Sequence, residues 1–174
     1  MTPGFYNHNY EIVQTPQYVA IYVEMLHDLR IIPVDGRPRV ASTVRQWLGE
    51  SRGHWEGDTL VVETKNFRDD TQAVGLRTAD HTLIATTFVG GGPEMVLTER
   101  FRRIDAHTMD YRYTVKDPTV FTAPWTVSAP MTTLKEGFIY EYACHEGNHA
   151  LENMLKGGRA QDKRTANGAV APKK

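Results

Sequence analysis

Residues 109 to 115 alternate in character. Met109, Tyr111, Tyr113 and Val115 are apolar or aromatic, while Asp110, Arg112 and Thr114 between them are polar. A period of two sends successive side chains to opposite faces, so this run reads as a strand with one buried and one wet face. It belongs to a series. Runs rich in β-branched and aromatic residues recur at 10–15, 18–26, 29–34, 59–64, 82–89, 95–104 and 125–131. Turn chemistry punctuates them: Pro16, Pro33 with Asp35-Gly36, Glu56-Gly57-Asp58, Gly90-Gly91-Gly92-Pro93, Asp105-Ala106-His107-Thr108 and Asp117-Pro118. About eight to nine short strands predict an all-β, antiparallel fold. A barrel is the preferred form, because closure removes the edges that so many strands would expose. The run at 18–26 is apolar on both parities, which predicts one face on the core and the other on a cavity. Residues 36–58, with Arg37, Arg39, Arg45, Trp47, Arg52, His54 and Trp55, read as a basic, aromatic loop.

A chain of 174 residues is long enough for one domain with a real core. Residues 1–9 read as an arm, 10–158 as a single barrel domain, and 159–174 as a disordered tail that is Ala/Lys-rich and lacks apolar pattern. One helix is expected. Asn148 would cap it, Leu151, Met154 and Leu155 would form its stripe, and Gly157 would stop it. The net charge of −1 provides no field for nucleic acid or an anionic membrane. No apolar run approaches the roughly 18 residues of a membrane span. The single cysteine rules out an internal disulfide and leaves the redox compartment undecided. The partners left are a small-molecule substrate or ligand, and a second copy of the chain in a homo-oligomer.

The densest chemistry lies at 138–148, Phe-Ile-Tyr-Glu-Tyr-Ala-Cys-His-Glu-Gly-Asn. Its first part reads as an aromatic strand that runs into the helix start. Together with Tyr10-Glu11-Ile12-Val13-Gln14-Thr15-Pro16, Glu24-Met25-Leu26-His27-Asp28, Arg30-Ile31-Ile32-Pro33-Val34-Asp35-Gly36-Arg37-Pro38 and Gly53-His54-Trp55-Glu56-Gly57-Asp58-Thr59-Leu60-Val61-Val62, it resembles a large family of uncharacterised bacterial proteins. The resemblance covers roughly residues 6 to 158. It implies an exported protein, periplasmic or secreted, because members usually carry a signal peptide and an N-terminal segment with a cysteine that could pair with Cys144. This sequence contains neither as written, which suggests a truncated form or an internal start. The Glu-Arg-Phe strand, hairpin and Tyr-rich strand also look like lipocalin-type barrels, an analogy of fold alone.

Of the seven histidines, His8, His81 and His107 lie in arm, polar stretch or turn and read as solvated. His27, His54 and His145 each begin or end a β segment. Three histidines from separate elements are the donor set of a catalytic zinc site with a fourth position open to water. Straight-strand spacing puts Glu141 and His145 roughly 13 Å apart, so any site must assemble across strands. Glu24 and Glu141 are carboxylates in apolar or aromatic runs. Burial would raise their pKa for acid–base work, unless arginines hold them in ion pairs. Cys144 and His145 are strand neighbours and face opposite ways, which disfavours a Cys–His dyad.

The leading expectation is therefore a small β-barrel enzyme, a metal-assisted hydrolase acting on a small, partly apolar substrate. A divalent metal, zinc by preference, would be held by His27, His54 and His145. Glu24 or Glu141 would handle the proton and Arg52 would neutralise an oxyanion. Trp55, Tyr142 and Arg30 would contact the substrate. The alternatives are a metal-free lyase or isomerase using the same residues, and a lipocalin-like carrier of a hydrophobic molecule.

Overall fold

The computed structural model describes residues 9–68, 75–77, 83–86, 93–135, 137–143 and 146–166. His8, His81, Cys144, His145, Gly90 to Gly92, most of the arm and the last eight residues of the tail lie outside them. The chain divides into two compact units, Met1–Glu141 and Tyr142–Lys174. The first contains β1 Tyr10–Gln14, β2 Tyr18–Val23, β3 Leu29–Pro33, β4 Glu50–Glu56, β5 Thr59–Lys65, β6 Gly75–Arg77, β7 Leu83–Thr86, β8 Val96–Arg103, β9 Thr108–Lys116, β10 Trp125–Ser128 and β11 Met131–Thr132. The second holds the helix α1, Ala150–Ala166.

All pairing among these strands is antiparallel. β1-β2-β3 form one sheet, β10-β9-β8-β5-β4 with β11 beside β9 form a larger one, and β6-β7 form a separate pair. The chain is thus mostly antiparallel β with one C-terminal helix, as the alternating runs predict. In β9 the expected face is the buried one, with Tyr111, Tyr113 and Val115 in the core and Met109 packed against it. Register carries that face across the sheet, through Leu97 and Phe101 of β8 to Leu60 and Val62 of β5. Val19, Ile21 and Ile32 of the smaller sheet complete the same cluster.

Two expectations are corrected. The pairing does not close into a barrel among the described residues, since β1 and β3 end one sheet and β4 and β10 end the other. Phe138 to Ala143 have no regular structure. Gly137 turns the chain at φ +67°, and Phe138 and Tyr140 remain 70% and 62% exposed. Strand propensity of this kind depends on packing, and the Phe138 and Tyr140 rings are left largely in solvent. The second correction is the loop at 36–58, which contains β4. Its inward positions are Ser51, Gly53 and Trp55, opposite Thr64, Val62 and Leu60. Gly53 is small because the other sheet lies so close. A Cβ on Gly53 would sit 2.9 Å from Val34 Cγ1.

α1 begins where expected. Asn148 Oδ1 accepts from the Ala150 N–H at 3.0 Å, the capping arrangement that satisfies a free first-turn donor. The helix then runs through Gly157-Gly158 to Ala166, past the expected stop and into the segment expected to be disordered. Leu151, Met154 and Leu155 are exposed along it.

Gly49 is the backbone position with least freedom to change. Its φ is +66°, and a Cβ there would lie 2.7 Å from the Lys65 carbonyl oxygen and 2.8 Å from the Phe67 ring. Gly49→Ala should therefore lower stability by roughly 1–3 kcal/mol in urea unfolding. An unchanged midpoint would contradict this reading of the β4–β5 junction.

Candidate functional site

The expected site residues described in the first unit occupy different parts of its fold. Arg30 faces inward from β3, where Nη1 donates to Glu99 Oε1 at 3.0 Å and Nη2 to Glu99 Oε2 at 2.5 Å. Nη2 also reaches Ser51 Oγ at 3.1 Å and Thr64 Oγ1 at 3.3 Å. Tyr111 donates its hydroxyl to Glu99 Oε1 at 3.0 Å. Arg30 and Glu99 are both buried, so Arg30 is an internal ion-pair partner in this structure. Burial pulls the Arg30 pKa down, but the Glu99 charge and its hydrogen bonds outweigh that and leave it raised.

Glu24 is also buried, and accepts from Asn9 Nδ2 at 2.8 Å. His27 ends the 3-10 turn Met25–His27, exposed, with Leu26 and His27 both left-handed at φ 62° and 56°. His54 and Arg52 lie on the outer face of the larger sheet, opposite in parity to Gly53. His54 Nε2 is 3.2 Å from Glu56 Oε1, and Arg100 Nη2 is 2.6 Å from Glu56 Oε2. Those two partners, Arg100 first, hold the Glu56 carboxyl below its ordinary range. Arg52 is paired with the buried Glu50 at 2.5 Å. Trp55 is partly exposed at the end of β4. Tyr142 is half-buried in the second unit, and His145 lies outside the described residues. Among the described residues no three His, Cys, Asp or Glu side chains come together as a metal-binding group.

Glu141 is different, because it lines a cavity of about 840 Å³. One wall is the start of β1 and the other is the stretch 129–134, with Phe138, Ile139 and Tyr140 beside them. Arg103 and His107 reach it from the β8–β9 hairpin. His107, read as a solvated turn residue, has Nδ1 3.1 Å from Thr133 Oγ1, which orients the ring. The available signal was its place at a hairpin tip whose neighbour strand is interrupted by Pro130. A second cavity, about 550 Å³, includes Arg45 and Lys65. Its cations are engaged, Arg45 with the Phe67 carbonyl and Lys65 with Glu63.

Tyr10 connects the larger cavity to the core. It lines the cavity, packs against the core cluster, and has its pKa pushed up to about 12 by burial and then by the charge of Glu99. Tyr111 is raised for the same two reasons.

Comparison of the chain with family models, curated proteins and solved structures finds no significant match. No helix among the described residues is long and apolar enough to cross a membrane.

The tyrosine shifts give a signed pH dependence. A phenol whose folded pKa lies above its unfolded value of about 10 binds more protons folded than unfolded in that window. Stability should therefore be unaffected by Tyr10 below pH 10 and fall as pH rises from 10 towards 12. Of the eight tyrosines, absorbance at 295 nm should show Tyr10 and Tyr111 ionising late. Tyr10→Phe should reduce the slope of stability against pH above pH 10; an unaltered slope would contradict the assignment.

Proposed function

We propose that the cavity beside β1 binds a small, partly apolar molecule, and that the protein is a lipocalin-like carrier that holds its ligand at the open edge of an antiparallel sheet. The observation that carries this reading is the cavity's lining. Ile12, Met109, Met131, Leu134, Phe138 and Tyr140 offer apolar surface to it, and its volume of about 840 Å³ falls within the roughly 300–1,000 Å³ of small-molecule sites. The family resemblance adds an exported setting to the proposal, in which a carrier would meet its ligand outside the cytoplasm.

A second reading has one observation in its favour. His107 and Glu141 line this same cavity, and Thr133 orients the His107 ring. A metal-free lyase or isomerase would use these two as its acid–base pair. The zinc-assisted hydrolase built on His27, His54 and His145 depends on a residue outside the described set. Its test is metal content, and near-stoichiometric zinc in purified protein would favour it over the carrier.

The carrier reading is tested with an apolar fluorescent probe such as 1-anilinonaphthalene-8-sulfonate. Phe138 is exposed, so Phe138→Ser should leave the fold intact. Removing a ring that covers the ligand forfeits about 1–2 kcal/mol, or roughly tenfold in affinity. Unchanged probe binding in Phe138→Ser would place the ligand elsewhere.

A further inference from the structure

Hydrogen-bond parity shows what the walls of the cavity present. In β1, Asn9 O accepts from the Glu24 N–H at 3.0 Å and the Thr15 N–H donates to Tyr18 O at 2.8 Å. The register between those bonds pairs Glu11 with Tyr22 and Val13 with Ala20. Antiparallel pairs alternate between bonded and non-bonded, so Glu11 and Val13 bond β2. The N–H and C=O of Ile12 and Gln14 therefore point away from β2, and β1 is the terminal strand of its sheet.

The opposite wall repeats the arrangement. The Ala129 N–H donates to Tyr111 O at 2.8 Å and the Thr133 N–H to His107 O at 2.9 Å, with Met131 opposite Met109. Thr132 thus turns its N–H and C=O away from β9, as Pro130 does its C=O. Ile12, Pro130 and Thr132 all line the one cavity. Two strand edges with outward backbone groups border a single groove.

Charge narrows the occupant. Glu11 and Glu141 both line the groove, and neither has an ion-pair partner among the described residues. Arg103 donates to the carbonyls of Asp105 and Ala106 at 3.2 and 3.4 Å, which orients its guanidinium without neutralising it. Two carboxylates against this one guanidinium leave the groove lining with a net negative charge, which favours a cationic ligand.

We propose that the ligand of this groove is an extended peptide segment with an alternating apolar–basic pattern, which adds as a strand to the open edge of β1. The proposal rests on the cavity being the binding site and names its ligand class. Pairing with Ile12 supplies main-chain hydrogen bonds to groups that β2 leaves free. A residue opposite Ile12 points inward to the apolar lining. Its neighbour opposite Glu11 points to the other face, where a lysine or arginine meets the carboxylate. Small apolar molecules would occupy the same space without using the edges.

The test uses the full chain and three capped pentapeptides: Val-Lys-Val-Lys-Val, its Glu-for-Lys counterpart, and the Lys peptide with N-methylated amides. The Lys peptide should bind, and the other two should bind at least tenfold more weakly. Ile12→Pro removes an outward N–H and no bond to β2, and Pro is tolerated on such an edge. It should weaken the Lys peptide at least tenfold with the melting temperature within a few degrees of wild type. Equal binding of the N-methylated peptide would overturn strand addition. Failure of all three peptides at millimolar concentration, while the fluorescent probe binds wild type, overturns the peptide class alone; failure of the probe as well removes the cavity reading with it. A particle of twice the 19.7 kDa chain mass that Ile12→Pro returns to a monomer would assign the edge to a second copy and overturn the proposal.

Discussion

The structure depends most on the ion pair between Arg30 and Glu99. Arg30 belongs to β3 in the smaller sheet and Glu99 to β8 in the larger, so the pair is a polar bond across the interior of a two-sheet core. Burying two charges costs several kcal/mol each unless geometry and further hydrogen bonds compensate. Here the contact is bidentate, and Ser51, Thr64 and Tyr111 take up other donors and acceptors. Arg30 Nε alone has no partner. Such a pair gains little over a well-packed apolar core, but it tolerates only one register. A one-residue slip of β3 would turn Arg30 to the outer face and leave Glu99 buried without a counter-charge.

Several features follow from that fixed register. β4 carries Ser51 and Gly53 inward because the guanidinium and the β3 side chains fill the space beside it. Phe101 stacks on Tyr111 at 4.7 Å and Trp125 meets Tyr113 edge-on at 6.0 Å, so the remaining inner face is packed with rings. The interior between the sheets is occupied, and the open volume lies instead at the free edge of β1. That edge lacks proline, lysine and any bulge, the usual means by which an exposed strand discourages pairing.

The sequence made β9 legible because its apolar positions keep a clean period, and β2 and β5 legible as runs rich in β-branched and aromatic residues flanked by turn residues. The α1 cap was legible in Asn148. β4 was not, since its inward positions are a serine, a glycine and a half-exposed tryptophan, chosen by the neighbouring sheet and carrying no apolar pattern of their own. Glu99 was legible only as an anomaly, an acid sharing its parity with Leu97 and Phe101; its partner sits 69 residues away in sequence, and no local pattern specifies that. The aromatic run after Gly137 has strand composition without a strand's packing. Among the expected site residues, parity alone could have separated His54 and Arg52 from the inward Gly53. Glu141 reached the cavity, and His107 was missed because a hairpin tip usually faces only water.

The central claim is that Arg30 and Glu99 act as one unit that holds the sheets in register. A double-mutant cycle with Arg30→Met and Glu99→Leu, measured by urea unfolding, tests it directly. Each single substitution leaves one buried charge without its partner and should cost about 3–5 kcal/mol. The double variant should cost no more than either single one, giving a coupling of several kcal/mol. Single costs below about 1 kcal/mol that simply add in the double variant would show that the pair does not hold the two sheets together.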